Sequence, residues 1–168
     1  MIKRLVLVVL FVASVLVSQS QDPIKEIRKL YYWTQEIRSS LKTQTLEILG
    51  ESAEGGEYEV YSDSSSVKLV LAKYYGETGK AIYEVYFDQK ELYFIHLQNY
   101  YYKYHVMDPK FRDDSLRLEE HRFYFWNDQM IRWVDPKGEF VDNESQQYID
   151  KALGLRDWVD EFYYELVD

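Results

Sequence analysis

The sequence predicts an α+β fold in which an antiparallel β-meander of about six strands, built from three hairpins, has an N-terminal and a C-terminal helix packed on one face. Apolar residues recur at steps of three and four near both ends of the mature chain, a spacing typical of amphipathic helices. Between these segments, short runs rich in Tyr, Phe, Val and Ile alternate with polar residues and are separated by turn-forming residues, as in strands and hairpins. Two amphipathic helices and one sheet favour packing of both helices on the same sheet face.

The first twenty residues have the layout of a secretory signal peptide. A basic start is followed by residues 5–17, which carry no charge, and by small side chains before a cleavage site after Ser20. The apolar run is shorter than a membrane span, which needs roughly 20 apolar residues. The sequence therefore predicts a signal peptide at 1–20 and a single α+β domain at 21–168, exported to the bacterial periplasm or secreted. A chain of this length is long enough for one domain with its own core.

Charge and composition argue against several classes of partner. Removing Lys3 and Arg4 with the signal leaves 18 basic against 29 acidic residues, so the formal charge changes from −9 to −11. This charge argues against nucleic acid and anionic membrane surfaces, which are themselves negative, and we expect no membrane insertion after signal cleavage. The chain has no cysteine, which excludes a disulfide scaffold and favours a bacterial envelope setting.

The first helix is predicted at 22–42. Asp22 is a suitable N-cap, and Pro23 follows at the first helical position. The apolar face of this helix continues to about residue 42. Residues 43–49 either extend the helix or form a first strand.

A second helix is predicted at 143–166, near the end of the chain. Asp142 or Asn143 can cap its start. Its apolar stripe consists of Tyr148, Ile149, Ala152, Leu155, Val159, Phe162, Tyr163 and Leu166. Glycine in a helix interior costs about 1 kcal/mol relative to alanine, so Gly154 predicts a kink or a break.

The sheet is predicted at 57–141 and contains an internal repeat of strand, short polar turn and strand. The three turn sequences are Asp63-Ser64-Ser65-Ser66, Asp88-Gln89-Lys90-Glu91 and Trp126-Asn127-Asp128-Gln129. A longer connection, residues 105–118, separates the second hairpin from the third. A loop of that length is either functional or mobile.

The repeat also predicts which side chains share a sheet face, because strand side chains alternate between the two faces. An apolar set is expected to meet the helices, and it comprises Tyr58, Val60, Tyr83, Val85, Phe87, His121, Phe123 and Phe125. A second set mixes tyrosine with charge and is expected to face water or a partner. It comprises Glu59, Tyr61, Glu84, Tyr86, Arg122 and Tyr124.

The second set supplies the candidate ligand-binding surface. The selected residues are Tyr61, Tyr86, Tyr124, Arg122 and Glu84. Aromatic rings give contact area at low entropy cost, and tyrosine hydroxyls add hydrogen bonds. The alternative is that tyrosine suits half-exposed pleated surfaces, where cross-strand aromatic pairs stabilise the sheet.

The sequence favours a non-catalytic protein and indicates no cofactor. It contains no cysteine nucleophile, nucleophile elbow, phosphate-binding glycine loop or His-Glu-x-x-His helix. Glu119 and His121 share a predicted strand face, so they are candidate metal ligands if acids of the 105–118 loop supply a third. The repeat places His121 in register with Tyr58 and Tyr83, which favours a half-buried structural histidine over a ligand.

Several strings resemble a group of exported bacterial proteins of unassigned function. They are Glu54-Gly55-Gly56-Glu57, Tyr74-Tyr75-Gly76-Glu77-Thr78-Gly79-Lys80, Tyr86-Phe87-Asp88, His121-Arg122-Phe123-Tyr124-Phe125 and Ile131-Arg132-Trp133. The resemblance covers most of residues 50–140 and implies a bacterial envelope location, but it assigns no functional residue. The hairpins also resemble the tyrosine-rich repeats of MORN-type proteins, although the glycine usual in those turns is missing here.

Together these features predict an exported, non-catalytic binding or interaction domain of the bacterial cell envelope. The tyrosine-bearing face and the 105–118 loop would bind a peptide, a glycan or another envelope protein. Two alternatives remain open. One is a hydrolase or metal-dependent enzyme built on Glu119, His121 and acids of the 105–118 loop, and the other is a structural subunit of a homo-oligomer.

Overall fold

The computed structural model describes residues 22–48, 50, 54–112 and 116–167. The signal peptide predicted at 1–20 lies outside the described residues. In chain order the elements are helix α1 (Pro23–Ile37), a 3₁₀ turn (Arg38–Ser40), strands β1 (Lys42–Ile48), β2 (Gly56–Ser62), β3 (Val67–Gly76), β4 (Gly79–Asp88), β5 (Glu91–Tyr102), β6 (Leu116–Trp126) and β7 (Gln129–Val134), and helix α2 (Gln146–Val167). No helix in these ranges is long and apolar enough to cross a membrane.

The seven strands form one antiparallel sheet in which neighbours in sequence are neighbours in space, from β1 to β7. The predicted meander is confirmed, with seven strands in place of about six. The additional strand is β1, whose Thr45 lies opposite Glu59 of β2. The helix predicted to reach residue 42 ends at Ile37. There the Ser40 hydroxyl donates to the Ile37 carbonyl at 2.7 Å and satisfies one of the acceptors that a helix end leaves open.

The three hairpin turns lie where the sequence predicts them. In the first, Asp63 Oδ1 accepts the backbone N–H groups of Ser65 and Ser66 at 2.7 and 2.9 Å. In the second and third, both central residues have positive φ, which is the geometry of a type I′ turn. These central residues are Gln89 and Lys90, and Asn127 and Asp128.

The two helices pack on opposite faces of the sheet, so the prediction that both pack on one face is wrong. On β3, Leu69 and Leu71 belong to the core under α1, whereas Val70 and Ala72 belong to the core under α2. Residues 67–72 are all buried. A nearly continuous apolar run is typical of a strand that is covered on both sides, and each covered face of this sheet has its own helix.

The core under α2 contains the apolar set that was predicted to meet the helices, with the exception of His121. Val60, Val85 and Phe123 are buried there. The buried residues that α2 contributes are Tyr148, Leu155, Val159 and Phe162. Because apolar side chains from all seven strands belong to this core, from Ile48 of β1 to Trp133 of β7, α2 is held by burial of apolar surface along most of its length.

Helix α2 begins at Gln146 and continues through Gly154 without the predicted break. The Ser145 hydroxyl accepts the N–H of Tyr148 at 3.3 Å, so Ser145 caps this helix in place of Asp142 or Asn143. The Tyr148 hydroxyl in turn donates to the carbonyl of Met130 at 2.7 Å, which fixes the start of the helix to strand β7.

Candidate functional site

Helix α1 covers only part of its sheet face. Beneath it the buried side chains are Leu69, Leu71, Tyr86, Phe94, Tyr124 and Val134. Beyond the helix the same face continues with polar residues. Glu84, His96 and Arg122 lie side by side on β4, β5 and β6, because Glu84 pairs with His96 and His96 pairs with Arg122. Helix α1 therefore packs on the apolar half of this face. In the polar half, Arg122 is exposed, whereas Glu84 and His96 are largely buried.

A cleft of about 440 Å³, which we call the α1 cleft, opens at the boundary between the two halves. Helix α1 contributes Ile27, Arg28, Tyr31 and Tyr32, and strands β5 and β6 contribute Phe94, His96, Glu120, Arg122 and Tyr124. Three rings pack along the floor. Tyr31 and Phe94 form a T-shaped pair with centroids 5.6 Å apart, and Phe94 and Tyr124 form a tilted pair with centroids 5.0 Å apart. Small-molecule sites usually measure roughly 300–1,000 Å³, so the cleft has the size of such a site.

A chain of polar side chains runs from the buried side of α1 to the mouth of the α1 cleft; we call it the relay. Gln35 Nε2 donates to the Tyr86 hydroxyl at 2.8 Å, and that hydroxyl donates to Glu84 Oε2 at 2.6 Å. Glu84 Oε2 lies 3.6 Å from His96 Nδ1, and His96 Nε2 lies 2.9 Å from Glu120 Oε1. The relay thus places one imidazole between two carboxylates.

The relay shifts the pKa of each of its central groups. Burial by itself raises the pKa of Glu84, but contacts with His96 and Tyr86 outweigh it, so the pKa of this carboxyl lies below its usual range. Burial lowers the pKa of His96, but Glu84 and Glu120 outweigh it, so the imidazole pKa is raised. Burial and the nearby Glu84 carboxylate raise the pKa of Tyr86. At neutral pH, Glu84 is therefore ionised and Tyr86 remains a hydrogen-bond donor.

Two cationic side chains in the α1 cleft have no acidic partner. Arg28 and Arg122 are both exposed, and neither forms an ion pair with a carboxylate among the described residues. The protein as a whole carries a net charge of −9. Guanidinium groups bind carboxylates and phosphates with paired hydrogen bonds. The cleft thus offers an anion two free guanidinium groups beside aromatic rings.

The structure brings four of the five predicted ligand-binding residues to this region and corrects their exposure. Tyr86 is 0% exposed and Tyr124 is 8% exposed. The expectation was that this set faces water or a partner, but both rings pack in the core under α1. Arg122 lines the α1 cleft, and Glu84 lies beside it in the relay. Tyr61 lies elsewhere, at the end of α1, where its ring is 4.8 Å from the guanidinium carbon of Arg38.

His96 was not selected from the sequence, and a β-bulge explains why. Below the hairpin turn, Phe87 pairs with Leu92, but after the bulge between Tyr86 and Phe87 the register shifts by one residue and Glu84 pairs with His96. Regular counting from the turn would place His96 on the α2 side, because a shift of one residue moves a side chain to the other face. The bulge therefore brings His96 to the same face as Glu84.

The candidate metal ligands Glu119 and His121 lie on the α2 side of the sheet and have other partners. His121 Nδ1 accepts a hydrogen bond from Trp133 Nε1 at 3.0 Å, and its ring stacks on Phe123 with a centroid distance of 5.9 Å. Glu119 accepts from the Tyr101 hydroxyl at 3.2 Å and contacts Arg117. Within the described ranges no three His, Asp or Glu side chains form a group that could hold a metal ion.

The 105–118 loop is described only in part. Asp113 and Asp114, two of the acids considered as further metal ligands, lie outside the described residues. The third acid, Asp108, accepts the backbone N–H of Lys110 at 2.7 Å and so closes a local turn. His105 Nε2 lies 2.8 Å from Glu77 Oε2, which ties the loop to the turn between β3 and β4.

The α1 cleft combines aromatic walls, two free guanidinium groups and a histidine held between carboxylates. Such an arrangement can bind and orient an anionic ligand that has an apolar part, because rings supply contact area and the cations supply directed hydrogen bonds. Comparison with known proteins adds no relative: the chain matches no protein-family model, no curated protein and no solved structure.

Proposed function

We propose that this protein is an exported, non-catalytic binding domain of the bacterial cell envelope and that its ligand docks in the α1 cleft. The observation that carries the proposal is the pair of guanidinium groups, on Arg28 and Arg122, that line the cleft beside aromatic walls and have no acidic partner in the part of the chain that the structure describes. A cleft with convergent polar groups and apolar walls is the general form of a ligand site.

The ligand best suited to the α1 cleft is a peptide with a free carboxylate. A carboxylate accepts paired hydrogen bonds from a guanidinium group, and the rings of Tyr31, Tyr32 and Phe94 can cover an apolar side chain of the same peptide. Glu120 at the rim, whose side chain is 49% exposed, can accept from a peptide N–H group.

The relay supports this proposal because it fixes the floor of the cleft before a ligand arrives. His96 and Glu84 have side chains that are only 18% and 20% exposed, and each is held by two partners. Groups that are already ordered lose little conformational entropy on binding, which favours affinity. The floor of the α1 cleft is therefore rigid, and Arg28 and Arg122 are the side chains that become ordered on binding.

The experiment is an isothermal calorimetry titration of the purified protein with short peptides that carry a free C-terminal carboxylate. We expect the double variant Arg28→Gln/Arg122→Gln to lose at least about tenfold in affinity, the equivalent of one charge-assisted contact. Amidation of the peptide C-terminus should cause a similar loss in the unchanged protein.

Arg132→Gln is the matched control. Arg132 lies on the same sheet face as Arg122, but its guanidinium carbon is 4.7 Å from the Phe140 ring and it does not line the α1 cleft. We expect it to bind the peptides as the unchanged protein does. Equal affinity in the double variant and the control, or no binding of any peptide, would refute the proposal.

Export is supported by the basic, apolar and small-residue order of the first twenty residues. Expression of the full chain in a bacterium, followed by fractionation and intact-mass measurement, tests this part. We expect envelope-fraction protein that begins at Gln21. Protein that retains Met1 and stays in the cytoplasm would refute export while leaving the binding proposal untouched.

An enzyme built on Glu119 and His121 is less well supported by the geometry. The Nδ1 atom of His121 is occupied by the Trp133 indole, and its ring is stacked on Phe123. The pKa of His121 is lowered, mainly by burial and to a smaller extent by the positive charge of Lys151. These contacts are those of a structural histidine, so we place the function in the α1 cleft.

A further inference from the structure

A second cleft lies on the opposite side of the sheet, between helix α2 and strands β3 and β4; we call it the α2 cleft. Its volume is about 760 Å³, within the range of roughly 300–1,000 Å³ that is usual for small-molecule sites. Tyr74 and Tyr83 form its sheet side, and Gly154 and Trp158 form its helix side. Nothing in the proposed function uses this cleft.

Gly154 has no packing reason to be glycine. A Cβ atom built at this position would have no heavy atom within 4 Å, so no neighbouring element of the protein requires the missing side chain. Glycine is among the least favourable residues in a helix interior, yet it stands in the middle of α2. The space that it leaves is part of the α2 cleft, and a ligand there can approach the helix backbone.

The aromatic side of the α2 cleft is held in place before any ligand binds. Trp158 Nε1 donates to the Tyr74 hydroxyl at 3.0 Å. The Trp158 centroid lies 4.7 Å from that of Tyr83, and the Tyr83 ring packs edge-on against Tyr74 at 6.0 Å. These contacts fix two rings against which a flat apolar surface can pack.

Polar groups around the rings are left available to a ligand. The Tyr83 hydroxyl has no hydrogen-bond partner within the described residues, although burial raises the pKa of Tyr83 and keeps it a donor. On the first turns of α2, Gln147, Asp150 and Lys151 line the rim, where Asp150 Oδ1 already accepts from Gln146 Nε2 at 2.7 Å. Asp150 and Lys151 carry opposite charges, so the rim as a whole favours neither an anion nor a cation.

We propose that the α2 cleft binds a neutral saccharide unit that stacks on Trp158 and Tyr83. A pyranose ring presents an apolar C–H face to such rings and a rim of hydroxyls that both donate and accept hydrogen bonds. A wholly apolar occupant would leave the Tyr83 hydroxyl buried without a partner among the described residues, which is costly. The net neutrality of Asp150 and Lys151 matches an uncharged ligand.

The test uses a leucine at position 154 to fill the α2 cleft without weakening the helix. We titrate the protein with neutral disaccharides (cellobiose, maltose and N,N′-diacetylchitobiose) and follow binding by calorimetry and tryptophan fluorescence. The Gly154→Leu variant should bind at least about tenfold more weakly than the unchanged protein. Leucine is a better helix former than glycine, so the melting temperature of the Gly154→Leu variant should be equal to or higher than that of the unchanged protein. This measurement separates a blocked site from a damaged fold.

Glu161→Leu is the matched control, because it adds the same side chain at an exposed position of α2 that does not line the α2 cleft. It should bind saccharide as the unchanged protein does. The Arg28→Gln/Arg122→Gln variant should also retain saccharide binding, so failure of the peptide proposal leaves this one standing. Absence of binding by all three disaccharides, or equal affinity in Gly154→Leu, overturns the saccharide site.

Discussion

The Tyr86 hydroxyl lies 2.6 Å from Oε2 of Glu84, two residues away on the same strand face. This hydrogen bond joins the two halves of the α1 side of the sheet. The Tyr86 ring is fully buried under α1, whereas Glu84 stands in the polar half next to His96. Helix α1 contributes directly, because Gln35 donates to the same hydroxyl at 2.8 Å. The position of α1 is therefore linked to the charge state of the α1 cleft.

Removal of the Tyr86 hydroxyl should destabilise the protein more than removal of an ordinary buried hydroxyl. Tyr86→Phe deletes a donor to an ionised carboxylate, a type of hydrogen bond that contributes about 1.5–3 kcal/mol. Tyr93→Phe is the control, since the Tyr93 hydroxyl bonds to the neutral Thr34 hydroxyl at 3.0 Å and its loss should cost about 1 kcal/mol. Urea denaturation measures both. A smaller loss in Tyr86→Phe than in Tyr93→Phe would contradict the expected ionised state of Glu84.

Two histidines should titrate on opposite sides of the ordinary histidine value of 6.5. The pKa of His96 is raised because Glu84 and Glu120 outweigh burial, and the pKa of His121 is lowered by burial and by Lys151. A pH titration of the imidazole resonances by NMR measures both values in one sample. If His96 titrates below His121, the relay does not hold a charged imidazole.

The relay should also make stability depend on pH. The His96 pKa is raised, so its contribution is fully present below 6.5 and is lost as pH rises through the folded-state pKa. The Glu84 pKa is lowered, so its contribution is present above 4.5 and is lost as pH falls through the folded-state pKa. The relay therefore stabilises the fold most between pH 4.5 and pH 6.5.

The variant His96→Gln tests this dependence. As pH rises from 6.5 through the folded-state pKa of His96, the unchanged protein should lose more free energy of unfolding than the variant, because only the unchanged protein gives up a proton from His96. Glu84→Gln should also make the free energy of unfolding depend less on pH in this range, since it removes one of the two carboxylates that hold the His96 proton. Equal slopes in all three proteins, measured by urea denaturation across this range, would show that the relay is not coupled to folding.

A substitution in the second hairpin turn should stabilise the protein. Lys90 has φ of 76°, in the left-handed region where a residue with a Cβ atom costs roughly 1–2 kcal/mol. Lys90→Gly should therefore raise the free energy of unfolding by about 1 kcal/mol, a shift of roughly 2–4 °C in melting temperature. Lys42→Gly, at an exposed position within β1, should instead lower stability by roughly 0.5–1 kcal/mol. A loss of stability in Lys90→Gly would mean that the lysine side chain stabilises the turn.

The sequence predicts the hairpins well because turn chemistry is local. Asp63, Asn127 and Asp128 are residues that favour turns through their own side chains, and they stand between runs of strand-forming residues. The packing of the helices on the sheet is harder to predict, because it depends on contacts between residues far apart in sequence. Tyr86 and Tyr124 look like solvent-facing residues, since their hydroxyls are polar, but their rings supply the surface on which α1 packs.

The candidate site was only partly predictable, because a β-bulge and the packing of α1 bring some of its residues together. Arg122, Tyr124 and Glu84 were selected because strand alternation places them on one face, and the structure keeps them there. His96 reaches the same face through a bulge that has no clear sequence signal, since Tyr93, the extra residue on β5, is not a residue type that marks bulges. Arg28 and Tyr32 depend on where α1 packs, which only tertiary contacts decide.

The sequential order of the sheet has a consequence for how the molecule assembles. Each strand pairs only with the strand before it and the strand after it, so no pairing has to wait for a distant part of the chain. Sheets built from such local contacts fold faster than those with long crossovers. Helix α2 is the exception, because it covers strands far earlier in the chain: Phe162 packs against Tyr58, which precedes it by 104 positions. Until it docks, Val70, Val85 and Phe123 remain open to water, and association with other chains competes with folding.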